Sequence, residues 1–270
     1  TWDPFDPGTS VANIALHPTD PDTIYASGFR EGINKTTDGG STWQLVNDGL
    51  MAVIPSKLAA DPHQPDVVYA TEDYAGYGVY KGTRGGAVWQ FLEIEGARGI
   101  NSVLVDPFTE DRVYAGAAFG VHRSEDGGQT WPIYRAFDPP PPEICKQDDP
   151  LGVDVLRAHP DPAYSDTLLA GVSGFCNQFS IQVGGIYRST NGGLDWTLMN
   201  VSQEISPVTD LAYDHLIPEI VYAATDGGGM LRSADGGQSW QPMAEGIQVL
   251  EYARSIAVEP SPPYRIFAWT

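Results

Sequence analysis

The stretch "RSADGGQSW", residues 232–240, sets a serine, an aspartate two positions on, a double glycine and a closing tryptophan in close succession. The pattern recurs as "KTTDGGSTW" (35–43), "RSEDGGQTW" (123–131) and "RSTNGGLDW" (188–196). A fifth copy, "KGTRGGAVW" (81–89), keeps the double glycine and the tryptophan but not the Ser and Asp. The closing tryptophans fall at 43, 89, 131, 196 and 240, at intervals of 46, 42, 65 and 44, so one interval alone departs from a common period. A catalytic loop is rarely copied five times, whereas self-similarity at a fixed period marks a repeat architecture.

Upstream of each box lies a second recurring element. "IALHPTDPDTIYAS" (14–27), "LAADPHQPDVVYAT" (58–71), "VLVDPFTEDRVYAG" (103–116), "LRAHPDPAYSDTLLAG" (156–171), "LAYDHLIPEIVYAA" (211–224) and "IAVEPSPPYRIFAW" (256–269) each join two short apolar runs through a polar turn. Runs of four to six residues rich in Val, Ile, Leu and Tyr, bounded by Pro, Asp and Gly, read as strands in hairpins. A glycine-containing turn then leads to a third strand ("GINKT", "GVYKG", "GVHRS", "GIYRS" or "GMLRS"), to the box, and to a fourth strand starting at the tryptophan. Four antiparallel strands in each repeat of this length are the signature of a β-propeller blade.

The expected fold is therefore all-β, a single propeller domain or propeller segment over 1–270. Complete blades are expected at about 11–47, 54–93, 100–135, 151–200 and 207–243, with half blades at 1–6 and 252–270. Trp2 precedes Trp43 by one period, so Thr1 and Trp2 read as the end of a further box, and the last hairpin supplies two strands without one. Six first strands against five boxes predict a segment of a longer chain or assembly, six-bladed if its ends pair and otherwise part of a seven-bladed or larger ring.

Within each box the glycines supply positive φ, and the Asp and Ser side chains can bond neighbouring amides in the turn. The tryptophan is expected to bury its ring between adjacent blades. This box resembles the Asp-box, or bacterial neuraminidase repeat, Ser-x-Asp-x-Gly-x-Thr-Trp, of the propellers of sialidases, sortilin-type receptors, xyloglucan hydrolases and photosystem assembly factors. The resemblance covers nearly the whole chain and implies a peripheral, scaffolding role for Asp38, Trp43, Asp126, Trp131, Asn191, Trp196, Asp235 and Trp240.

Thirty Gly and 22 Pro suit many short strands and turns, and no apolar run is long enough for a membrane-spanning helix. Fifteen Lys and Arg against 35 Asp and Glu give a net charge of −20, which disfavours nucleic acid and anionic lipid as partners. No cofactor and no metal are expected: the five histidines are dispersed, and His17 and His159 occupy equivalent hairpin turns, where repetition argues for structure.

The long interval holds two insertions, 136–152 and 171–185, each carrying one of the two cysteines. In a blade, the loop entering the first strand and the loop joining the second and third emerge on one face, opposite the box. Cys145 and Cys176 can therefore meet, predicting a disulfide and an extracellular, cell-surface or periplasmic location; two unrelated free thiols are the alternative. The same face gathers Phe29, Arg30, Glu72, Asp73, Tyr74, Tyr77, Arg98, Phe119, Phe175, Asn177, Phe179, Asp226, Tyr252 and Arg254. Aromatic rings interleaved with carboxylates and amides suit a glycan or a protein partner.

Two functions stand open. One is a non-catalytic module that binds a protein or glycan through this loop face. The other is a glycoside hydrolase: "YAATDGGGMLRS" (222–233) resembles the segment carrying a catalytic aspartate in xyloglucan hydrolases, which would place Asp226 in that role. Hydrolysis would need a second carboxylate facing Asp226, and Asp210, Asp73 and Glu72 are the candidates.

Overall fold

A computed structural model describes residues 11–28, 32–51, 54–72, 76–118, 120–137, 151–176, 181–201, 206–243, 253–260 and 265–269. The described residues are all-β, apart from one 3-10 turn at Pro162–Tyr164. The chain divides into two compact units, 1–115 with 123–132 and 116–122 with 133–270, the division passing through the third blade.

Each complete blade is a four-stranded antiparallel meander in sequence order. The first contains Val11–Leu16, Ile24–Gly28, Gly32–Thr36 and Gln44–Leu45, and the second Pro55–Ala60, Val68–Glu72, Gly78–Thr83 and Val88–Glu93. The third contains Ser102–Val105, Val113–Ala117, Gly120–Ser124 and Ile133–Ala136, and the fourth Leu151–Ala158, Leu168–Cys176, Ile181–Ser189 and Thr197–Leu198. Val208–Tyr213, Val221–Thr225, Gly229–Ser233 and Ser239–Pro242 form the fifth, with Asn200–Val201 added in parallel to its last strand. Ser255–Val258 and Ile266–Trp269 pair alone. The expected half blade at 1–6 lies outside the described residues.

The fourth strands do not uniformly begin at the tryptophan. They start just past Trp43, Trp131 and Trp196, and just before Trp89 and Trp240. After Trp131 the ladder is delayed by Pro132, which cannot donate a main-chain hydrogen bond.

Burial follows position in the blade. Second strands such as Val113–Ala117 and Val221–Thr225 are buried throughout, because a strand covered on both faces loses the polar/apolar alternation of a half-exposed one. The two-residue fourth strands Gln44–Leu45 and Thr197–Leu198 are exposed, short edges that offer little for another chain to pair with. In the first unit the core gathers Tyr25, Ile33, Val68, Tyr80 and Trp89 between the first two blades. In the second, Val155, Leu169, Ile186, Val208, Leu211, Leu231 and Trp240 fill the space between the fourth and fifth. Trp89, Trp196 and Trp240 are buried, whereas Trp43 and Trp131 are only partly covered.

Candidate functional site

The two ends of a blade differ in kind. At one end the first glycine of each box donates its amide to the carbonyl of the hairpin turn in the same blade: Gly39 to Asp22, Gly85 to Asp66, Gly127 to Asp111, Gly192 to Asp166 and Gly236 to Glu219, all at 2.8–2.9 Å. Both glycines of every box have positive φ. In the third blade Ser124 Oγ accepts from the amides of Asp126 and Gly128, Asp126 Oδ1 accepts from Thr130 N, and Thr130 Oγ1 donates to Asp126 Oδ2 at 2.6 Å. Trp131 Nε1 donates to Gly128 O. Asp38 and Asp235 repeat these bonds with Thr42 and Ser239.

Electrostatics follow from those donors. The amide and hydroxyl of Thr42 pull the Asp38 carboxyl down to about 2. Burial pushes the Asp126 and Asp235 carboxyls up, but hydrogen bonds from Thr130 and Ser124, and from Ser239 and Ser233, outweigh it and leave both lowered. The hairpin turns are capped just as locally. His17 Nδ1 accepts from Asp20 N and His159 Nδ1 from Asp161 N, both at 3.1 Å, while Asp61, Asp106 and Asp214 accept from amides two and three residues on. The box aspartates and the turn-capping side chains named here thus bond their own turns, while Gln64 Nε2 crosses to Asp111 Oδ1 of the next blade at 3.0 Å.

The degenerate box shows what the aspartate supplies. Arg84 replaces it and adopts φ 54°, and Trp89 Nε1 turns from its own box to Val46 O at 2.6 Å.

The opposite end carries the candidate recognition residues. In the first unit, Tyr77 is 58% exposed, and its carbonyl accepts from Ile94 N while Gly76 O accepts from Ile100 N. Those two bonds hold the loop bearing exposed Arg98 beside Tyr77 and the end of the strand that carries Glu72.

In the second unit Asp226 opens the turn between Val221–Thr225 and Gly229–Ser233. Its amide donates to Pro207 O at 2.9 Å, Gly227 takes φ 95°, and Thr225 Oγ1 crosses to Gly229 O. The Asp226 side chain is partly buried and has no hydrogen-bond or ionic partner among the described residues. Ser206 and Pro207 pack against Gly184, at the edge of the long hairpin 168–189. Ser173 Oγ on that hairpin bonds the Asp154 carboxylate, and Arg254 is exposed nearby in sequence to Ala253, whose amide reaches Thr225 O.

Asp210 is excluded as the partner that hydrolysis would require. Its carboxylate accepts from Arg157 Nη2 at 2.7 Å, Ser255 Oγ at 2.8 Å and the amides of Leu211 and Ile256, and it is 6% exposed. A carboxylate holding four donors has no free lone pair directed at a substrate. Asn13 does similar work in the first unit, its Oδ1 accepting from Leu58 N at 3.0 Å. Both follow a register shift in a first strand, where an extra residue re-aims a side chain. That role was not legible in the sequence, since a bulge leaves no residue signature of its own.

Phe29, Arg30, Asp73, Tyr74, Phe119, Cys145, Asn177, Phe179 and Tyr252 lie outside the described residues. Phe175 and Cys176 are placed by their backbone at the end of the strand Leu168–Cys176.

No family model matches the chain. It is 24% identical over 207 residues to an oligoxyloglucan-reducing end-specific xyloglucanase from Emericella nidulans, covering 70% of this chain and 24% of that protein. The chain thus spans about a quarter of the length of that curated relative. Among solved structures it resembles an ancestral GH74 enzyme (TM-score 0.62, 23% identity, 82% of this chain and 28% of the other). It also resembles YCF48 bound to D1 peptide (TM-score 0.58, 20% identity, 96% of this chain and 74% of the other). At these identities the structural likenesses establish the β-propeller architecture.

Proposed function

We propose that the chain is a recognition module of an Asp-box propeller, which binds a glycan of the xyloglucan type at the blade end bearing Asp226, with Tyr77 a separate contact within the first unit, and does not hydrolyse it unaided. The observation that carries this reading is the contrast between two carboxylates. Asp226 is free of described partners beside a glycine turn, while Asp210, the candidate partner in its own blade, is held by four donors. One free carboxylate can accept sugar hydroxyls, and an exposed tyrosine can stack on a sugar face, but acid/base hydrolysis calls for two opposed carboxyls. The similarity to a xyloglucanase favours a β-glucan over a protein among the ligands such a surface could take. An extracytoplasmic location and a Cys145–Cys176 disulfide belong to the same reading, since polysaccharide lies outside the reducing cytosol.

The same similarity supports a second reading, a glycoside hydrolase segment using Asp226. Calorimetric titration with xyloglucan oligosaccharides, run beside an assay for new reducing ends, separates the two. Binding without turnover, weakened by Tyr77→Ala, supports the module. Turnover abolished by Asp226→Asn with binding retained supports the hydrolase, and absence of binding to any β-glucan defeats both.

A further inference from the structure

Of the seven asparagines, Asn191 alone is followed by glycine. Asparagine is a thermolabile residue, and in an Asn-Gly pair the glycine nitrogen closes easily on the asparagine Cγ because no Cβ hinders its approach. The new N–C bond expels Nδ2 as ammonia and leaves a succinimide. Water then adds to one of its two carbonyls, giving aspartate or isoaspartate. No oxidant, metal or second protein is needed, and Asn191 is exposed to the water that the second step consumes.

The closed box restrains each group that this reaction must move. Gly192 N, the nucleophile, donates to Asp166 O of the hairpin turn at 2.9 Å. Asn191 Oδ1 accepts from Ser189 Oγ at 3.0 Å and from the amides of Leu194 and Asp195 at 3.1 and 2.9 Å, while Nδ2, the leaving group, donates to Asp195 Oδ2 at 2.8 Å. The box must therefore open before the ring can close.

This box is also less firmly shut than its counterparts. Trp43, Trp131 and Trp240 each donate Nε1 to the carbonyl of the second glycine in their own box, at 2.9–3.0 Å. Trp196 Nε1 is buried without a partner among the described residues. The outer side of the turn is instead pinned by Arg135, an exposed residue on the last strand of the preceding blade, whose Nε donates to Leu194 O at 3.1 Å. A segment held by exposed hydrogen bonds opens locally at a lower cost than the whole domain.

We propose that Asn191 is a deamidation site of the folded protein, admitted to reaction by local opening of the fourth blade's box, and that the product keeps this box unlatched. Either product loses the Nδ2 donor. Aspartate sets a second carboxylate against Asp195, and like charges at that distance repel. Isoaspartate adds a methylene to the main chain and moves the remaining oxygen out of register with the amides of residues 194 and 195.

The test incubates the whole chain at mildly alkaline pH, folded and in denaturant. Mass spectrometry follows the amide-to-acid mass gain in the tryptic peptide that begins at Ser189, and enzymatic carboxyl methylation counts isoaspartate. The folded chain should react measurably but at least about tenfold more slowly than the unfolded one. Arg135→Ala should raise the folded rate by about threefold or more without changing the unfolded rate, Arg135→Lys should keep the parent rate, and Asn191→Gln should abolish the signal. Deamidated protein, purified from its parent, should show faster hydrogen exchange at amides 194 and 195. Equal rates in the folded and unfolded chains overturn the proposal, as does a folded chain that stays intact while the unfolded one is fully converted. A folded rate indifferent to Arg135→Ala, or unchanged exchange after deamidation, also overturns it.

Discussion

Asn191 Nδ2 donates to Asp195 Oδ2 at 2.8 Å, whereas Thr130 Oγ1 donates to Asp126 Oδ2 at the equivalent place in the box that precedes it in the sequence. The two boxes have exchanged donor and acceptor while keeping the bond. Asn191→Asp alone would set two carboxylates face to face, and nearby like charges disfavour the ionised state. It should lower stability by about 1 kcal/mol or more at neutral pH, and adding Asp195→Thr should restore it. Equal denaturant midpoints for the single and double variants would show that the exchange is incidental.

The Asp38 carboxyl, lowered to about 2 by the amide and hydroxyl of Thr42, sets an acid limit. An unfolded aspartate titrates near ~3.9, so its folded value lies below its unfolded one. The stability it contributes is present above about pH 4 and is lost as pH falls towards 2. Asp38→Asn should therefore lower the thermal midpoint at pH 7, with the gap to the parent closing at pH 2. A gap that stays constant would mean that the carboxylate charge does no work.

His122 behaves in the opposite chemical sense in a different window. It is buried against Tyr134, ring centroids 4.6 Å apart, and burial pushes its imidazole down to about 4. Between that value and the ordinary ~6.5 the unfolded chain binds a proton that the folded one refuses, so stability falls as pH drops through this window. His122→Phe should flatten the dependence of the denaturation midpoint between pH 6.5 and 4. An unchanged slope would assign that dependence to other groups.

Trp240, 1% exposed at the centre of the core between the fourth and fifth blades, should cost about 3 to 5 kcal/mol when replaced by Ala. Asp235→Ala removes bonds to Ser233, Gln238 and Ser239 and should cost about 1 kcal/mol or more. Arg84, at the aspartate position of the degenerate box, is held at φ 54°. Arg84→Ala should be nearly neutral, and Arg84→Gly should stabilise by about 0.5 kcal/mol or more, since glycine adopts that region without a Cβ penalty. Guanidinium denaturation of the four variants orders these effects, and equal losses for Asp235→Ala and Arg84→Ala would refute the role given to the aspartate.

The blades were legible in the sequence because their determinants are local. A double glycine needed for positive φ, an Asp within reach of the amides of its own turn, and apolar runs of strand length all act over a few residues and recur at one period. The separation of the two blade ends was also legible, since the box glycine bonds the hairpin turn of its own blade. What required the tertiary structure were bonds between residues some 45 positions apart. Asp210 reads as a candidate catalytic carboxylate in "VTDLAY", yet a register shift turns it onto Ser255 and Ile256 of the next sheet. Lys81 reads like a solvated charge before a turn, yet packing of one blade on the next brings it to Gly127. Hydrogen bonding within a turn is set by neighbouring residues, whereas the partner of a side chain that points out of a sheet is chosen by whichever blade packs against it.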